Sequence, residues 1–203
     1  VSNTYGYLRR GAVTVDGAGS SWSNSSALYL GLSGSGTLVI RNGGAVSNTT
    51  GYIGLFGGSG AVTVDGAGSH WSNSGNLYVG DSDSGTLSIS NGGVVNVGGG
   101  ARTLTLANIS GSSGTLNIGA GDAAGILNAA AVYGGAGTAT LNFNHSDSAY
   151  HFTHDGSASG TAISIGGRVS VNHVGSGTTI LTGNSGYSGN TTVDRGTLAI
   201  RSG

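Results

Sequence analysis

The stretch NHSDSAYHFTH and the aspartate that follows it set His145, Asp147, His151, His154 and Asp155 within eleven residues. Imidazoles and carboxylates at that density are donors that a transition metal takes. The spacing works against convergence, because side chains alternate along an extended strand and positions 151 and 153 share a face that 154 does not. A second candidate, DSDSG at 81–85, offers alternate aspartates like the opening of a calcium loop. Its counterpart LSGSG at 32–36 has no carboxylate, and the chain has no glutamate to close such a loop, so a solvated turn is expected. Paired carboxylates for polysaccharide cleavage would be Asp16 and Asp65, yet each stands in the same VDGAG context. That equivalence fits an aspartate accepting backbone N–H groups at a corner. With no cysteine nucleophile and no G-x-S-x-G elbow, no catalytic, cofactor-binding or metal residue is assigned and no enzyme activity is expected.

The elements that would have to position such residues are short and repetitive. AVTVDGAGSSWSNS at 12–25 returns as AVTVDGAGSHWSNS at 61–74, and the 49-residue offset holds from 12–44 to 61–93, carrying Trp22 onto Trp71 and Tyr29 onto Tyr78. Upstream, VSNTYGYL at 1–8 matches VSNTTGYI at 46–53 with an offset of 45, which places four extra residues around LFGGSG at 55–60. A loop of variable length between fixed strands accounts for the slip. Runs such as VTV, LYLG and TLVI are separated by DG, NGG and SGSG, so strands of a few residues alternate with glycine-rich turns. Strands that short need a neighbour above and below.

The expected fold is all-β: a right-handed parallel β-helix, or β-solenoid, of roughly eight to ten coils at about 18–25 residues and 4.8 Å each, with two coils per 49-residue copy. A sandwich or barrel is the competing architecture, and the repeat lacks its fixed two-residue hairpin turns. The whole chain, 1–203, reads as one continuous β-helix: two near-identical repeat units at 1–93, degenerate coils at 94–140 and a distinct region at 141–203.

Composition narrows the function classes. The chain has 43 glycines, no proline, no cysteine, and no lysine, glutamate or glutamine. Seven arginines against eight aspartates give a formal net charge of −1, without the basic footprint that displaces counterions from nucleic acid. No apolar run approaches the ~20 residues of a membrane-spanning helix, and no signal peptide opens the chain. Absence of disulfides suits a chain that crosses a membrane unfolded.

GSGTTILTGNSGYSGNTTVDRGTLAI at 175–200 resembles the autotransporter-associated β-strand repeat, and LNFNHSDSAYHF at 141–152 is similar to a segment that often precedes it. The 49-residue units resemble the glycine-tryptophan-asparagine-serine repeats of large passengers. This resemblance implies a type V secretion passenger of a Gram-negative bacterium, exported through its own outer-membrane barrel and then displayed or released. Attachment to the membrane would run only through a C-terminal barrel outside these residues, and the chain is expected to be a passenger fragment from near that end. In such passengers the asparagine-histidine-serine-aspartate turn is a structural corner, which implies the same for His145 and Asp147.

For partners, the aromatics of the repeat are the candidates: Trp22, Trp71, Tyr29 and Tyr78, the last two about 10 Å apart on one side, with Leu55 and Phe56 in the variable loop. Packing is the favoured role for the tryptophans, whose rings would fold back over the adjacent glycines. Faces of serine, threonine and asparagine with few charges offer weak hydrogen bonds and little repulsion. The leading expectation is adhesion or self-association along these faces, toward a host cell surface protein, a glycan or another copy. The alternatives are a released virulence factor with one host receptor, bound through 55–60 or the tyrosine-rich edges, and a stalk that binds nothing.

Overall fold

The chain is all-β, and its computed structural model describes residues 1–201. Three strands make a coil, and like strands of successive coils pair in parallel. The first face stacks Ser2–Asn3, Ser21–Asn24, Ala45–Asn48, His70–Asn73, Val94–Val97 and Ile126–Asn128. The second stacks Gly6–Leu8, Leu28–Leu32, Gly51–Leu55, Leu77–Val79 and Thr103–Leu106. The third stacks Gly11–Asp16, Ser35–Arg41, Ser59–Asp65, Ser84–Ser90 and Ser113–Ile118. In the next coils the second and third faces merge into the long strands Ala131–Phe143 and Ser164–His173.

Register explains the repeat. Ser21 pairs with Ala45, Ala45 with His70 and His70 with Val94, so coil length is almost constant here and one repeat copy, from Ser21 to His70, is two coils. Val94 then pairs with Ile126 and Ala131 with Ser164, so the later coils are markedly longer. These long coils use up the chain, and the solenoid makes about 7 turns rather than the eight to ten expected. The slip in the repeat is visible too. Only Arg9 and Arg10 separate Leu8 from Gly11, whereas the whole stretch 54–59 separates Ile53 from Gly60, at the same two register positions across the corner between the second and third faces.

The core is built from columns of alternate residues. Leu8, Leu30, Ile53, Val79 and Leu106 stack from coil to coil, as do Leu38, Val62, Leu87, Leu116, Leu141 and Val171. Most of these side chains have no accessible surface at all. Each coil alone could not bury its apolar face, but stacking does so at about 25 cal/mol for every Å² removed from water. At the corner after the second face Gly31, Gly54 and Gly80 have φ of 71°, 76° and 75°. A side chain on Gly54 would strike the Ser84 carbonyl of the next coil, so only glycine lets the backbones approach. Ala107 takes the same position in the fifth coil at φ 52°.

Candidate functional site

Strand alternation that sends Leu28 and Leu30 inward turns Tyr29 outward, and the same holds for Tyr7, Tyr52 and Tyr78. Parallel pairing then sets Tyr7 beside Tyr29, Tyr29 beside Tyr52 and Tyr52 beside Tyr78. Their rings stack at 5.2, 5.2 and 5.1 Å between centroids with interplanar angles of 6°, 6° and 5°. Tyr5 extends the row at 6.0 Å and 24°. Five rings thus form one continuous aromatic ridge on the outside of the second face. Desolvation within the stack, then the neighbouring phenols, raises the Tyr29 and Tyr52 hydroxyls above the ordinary tyrosine value.

Tyr29 and Tyr78 lie on one side two coils apart, as their place in the repeat indicates, with Tyr52 filling the rung between them. Tyr7 and Tyr52 fall outside the 49-residue match, but GYL at 6–8 and GYI at 51–53 sit in the upstream match and carry them.

The tryptophans face the other way. Trp71 is fully buried on the first face, and its Nε1 donates to Asn48 Oδ1 at 2.6 Å. Asn48 in turn donates to Asn73 Oδ1 at 2.6 Å. The ring lies over Gly51 at the start of the second face, not over the glycines just before it in sequence, because its side chain points into the coil. Trp22 takes the same place over Gly6 but remains half-buried, since only the short strand Ser2–Asn3 lies beyond it. Trp71 therefore has no surface to offer a partner. In the variable loop Leu55 is buried, whereas Phe56 is 73% exposed at φ 48°.

Among the described residues no three histidines, cysteines or carboxylates converge as a metal would need. His145 is buried, with Nε2 2.7 Å from Thr179 Oγ1 and Nδ1 3.3 Å from Asp147 Oδ2, while Asp147 accepts from the Ala124 amide. Burial holds the His145 imidazole below its ordinary pKa, with Asp147 opposing and His173 adding to the shift. Asp155 caps its own turn at Ser157. Asp16 accepts from Asn42 at 2.7 Å and Arg41 at 2.9 Å, and Asp65 accepts from Asn91 at 2.8 Å and Ser90 at 2.6 Å. Each aspartate ties its corner to the next coil. Asp81 and Asp83 likewise accept from Asn108 and from the Gly57 amide.

Residues 174–200 match the family model described as passenger-associated-transport-repeat. They cover the last, shorter coil and the strand after it, so that Thr178 pairs with Thr197 one turn on. No curated protein and no solved structure matches the chain. The segment 174–200 is thus similar to a repeat of autotransporter passengers, a family exported to the cell surface, and the parallel β-solenoid is consistent with such a passenger.

Proposed function

We propose that this passenger segment acts at the cell surface in adhesion or self-association, with the tyrosine ridge and its serine- and threonine-rich flanks as the contact face. The stack from Tyr5 to Tyr78 carries the reading. It is an aromatic row fixed on a rigid sheet, exposed at Tyr5 and Tyr7 and half-buried at Tyr29, Tyr52 and Tyr78, so docking against it costs little side-chain entropy. The near-neutral chain, at −1, adds no long-range repulsion between copies or toward a host surface. A non-catalytic role agrees with the repeat family and with aspartates already engaged at corners. Bacteria displaying the passenger should settle or clump, and joint replacement of Tyr7, Tyr29, Tyr52 and Tyr78 by serine should abolish it. Unchanged settling with the variant present at normal surface density would sink the reading.

One observation favours a released receptor-binding factor instead. Phe56 projects 73% exposed from a turn at positive φ, the mark of a local epitope. Saturable binding of the purified chain to host cells, lost in Phe56→Ser and kept in the tyrosine variant, would decide for it.

A further inference from the structure

The tyrosine row has a missing rung. Tyr78 pairs with Thr105 and Thr105 with Tyr133, so the column runs tyrosine, threonine, tyrosine where four consecutive tyrosines came before. Two strand spacings, about 9.6 Å, separate the backbones that carry Tyr78 and Tyr133. Ring-to-ring steps of 5.1 and 5.2 Å within the stack show that one more six-membered ring fits such an interval. One face of Tyr78 is covered by Tyr52, while Tyr133 is 51% exposed and leans against Gly166, whose lack of a side chain leaves it room. Around the gap lies a groove of about 560 Å³, lined by Tyr78, Thr105, Asn108, Tyr133, Arg168 and Ser188 among others.

The lining selects the occupant. An aromatic side chain of a second copy would fit between the rings but would leave the polar rim without partners. A sugar ring meets both demands: its C–H face packs on a phenol ring, and its hydroxyls exchange hydrogen bonds with hydroxyl, amide and guanidinium groups. Asn108 has one amide hydrogen bond to Asp81 Oδ1 at 2.9 Å and a side-chain carbonyl to spare. Arg168 uses one long contact, Nη1 to the Ala136 carbonyl at 3.4 Å, of its five N–H groups. The groove continues past Tyr133 to Gly167 and Ser188, so it spans several coils and has the length for a chain of sugars rather than one.

We propose that the gap at Thr105 is a glycan subsite, holding one pyranose ring between Tyr78 and Tyr133 with flanking sugars along the groove. The proposal rests on the tyrosine face being the contact surface and names what that face takes.

The test uses the whole chain and four soluble probes: maltotetraose, cellotetraose, tetra-N-acetylchitotetraose and 3′-sialyllactose. Saturation-transfer NMR followed by calorimetric titration should show saturable binding of at least one, with Kd on the order of a millimolar or tighter. Thr105→Tyr completes the stack without opening a cavity and should weaken that binding tenfold or more. Tyr133→Ala should do the same, and Arg10→Ala, at an exposed corner of the first coil outside the groove, should leave it unchanged. No saturable binding of any probe, or full affinity in Thr105→Tyr, overturns the subsite. A fall in sedimentation-average mass in Thr105→Tyr without sugar binding assigns the gap to a second copy and overturns it as well. Failure of the adhesion reading looks different: cells would settle regardless of the ridge while the purified chain still bound sugar.

Discussion

The coils before residue 94 and those after residue 125 solve the same packing problem in opposite ways. In the first group coil length barely changes from one turn to the next, so aliphatic side chains pile on their equivalents and the interior is nearly uniform. In the second the coils lengthen, an excursion closed by the antiparallel bridge of Thr153 with Ala162 interrupts the stack, and the first face gives way to a separate sheet. The column of Ile40, Val64, Ile89 and Ile118 changes there to Phe143 and then His173. Phe143 meets Phe152 edge-on at 5.2 Å, and His145, Tyr150 and His173 close around them. Constant coil length lets identity do the packing; variable length demands larger and more polar side chains to fill irregular space.

Replacing the tryptophans gives the largest contrast. Trp71→Ala removes a fully buried ring and leaves Asn48 Oδ1 without its donor, a loss of about 3–5 kcal/mol. Trp22→Ala acts on a half-buried ring beside the short strand Ser2–Asn3 and should cost well under half as much. Guanidinium midpoints followed by far-ultraviolet circular dichroism measure both. Equal losses would show that the coil holding Trp22 is as tightly packed as the one holding Trp71.

Gly54→Ala comes next. The left-handed conformation alone costs about 1–2 kcal/mol with a side chain, and the clash with the Ser84 carbonyl adds to it. Ala107 already holds that corner with a methyl group in the fifth coil, so Ala107→Gly should shift the thermal midpoint far less. A mild Gly54→Ala would mean that neighbouring coils slide apart more easily than their register implies.

How far the letters revealed this follows from the same contrast. Where coils are constant, the internal match carried the two-coil unit, the variable corner at 55–60 and the shared side of Tyr29 and Tyr78. It could not distinguish Trp22 from Trp71, because burial depends on what stacks beyond each coil and the flanking letters are nearly the same. The steps from Tyr78 to Thr105 and from Thr105 to Tyr133 fall outside the repeat offset, so the broken rung was hidden until pairing set the register. In the histidine region the spacing argues against a convergent local cluster, but the pairing of His145 with Thr179 crosses a coil and leaves no local signal.

A smaller effect probes the ridge. Tyr52→Ser loses stacking on both faces, about 0.5–1.5 kcal/mol beyond the area it exposes, whereas Tyr133→Ser has no ring on either side and should lose less. Paired thermal midpoints test the difference, and equal shifts would mean that the stacked geometry adds nothing to stability.

The histidine corner and the tyrosine ridge should also lose stability at opposite ends of the pH scale, with the smallest expected changes, while the buried Tyr150 hydroxyl, raised by desolvation, adds an alkaline loss to the later coils. His145 has its folded pKa held below 6.5 by burial first, so the unfolded chain takes the proton more readily. Its contribution is fully present above about pH 6.5 and is lost as pH falls toward the depressed folded value. Tyr29 and Tyr52 have folded values raised above 10, again by desolvation first, so the folded chain keeps protons that the unfolded chain releases. Their contribution is intact below about pH 10 and fades as pH rises through the folded values. Both tryptophans lie in the first four coils, so their fluorescence in guanidinium titrations reports the alkaline loss there, while imidazole proton signals follow His145 on acidification. An acid loss carried equally by the tryptophan signal, and unchanged in His145→Gln, would mean that the solenoid unfolds as one block and that the histidine corner has no separate share in its stability.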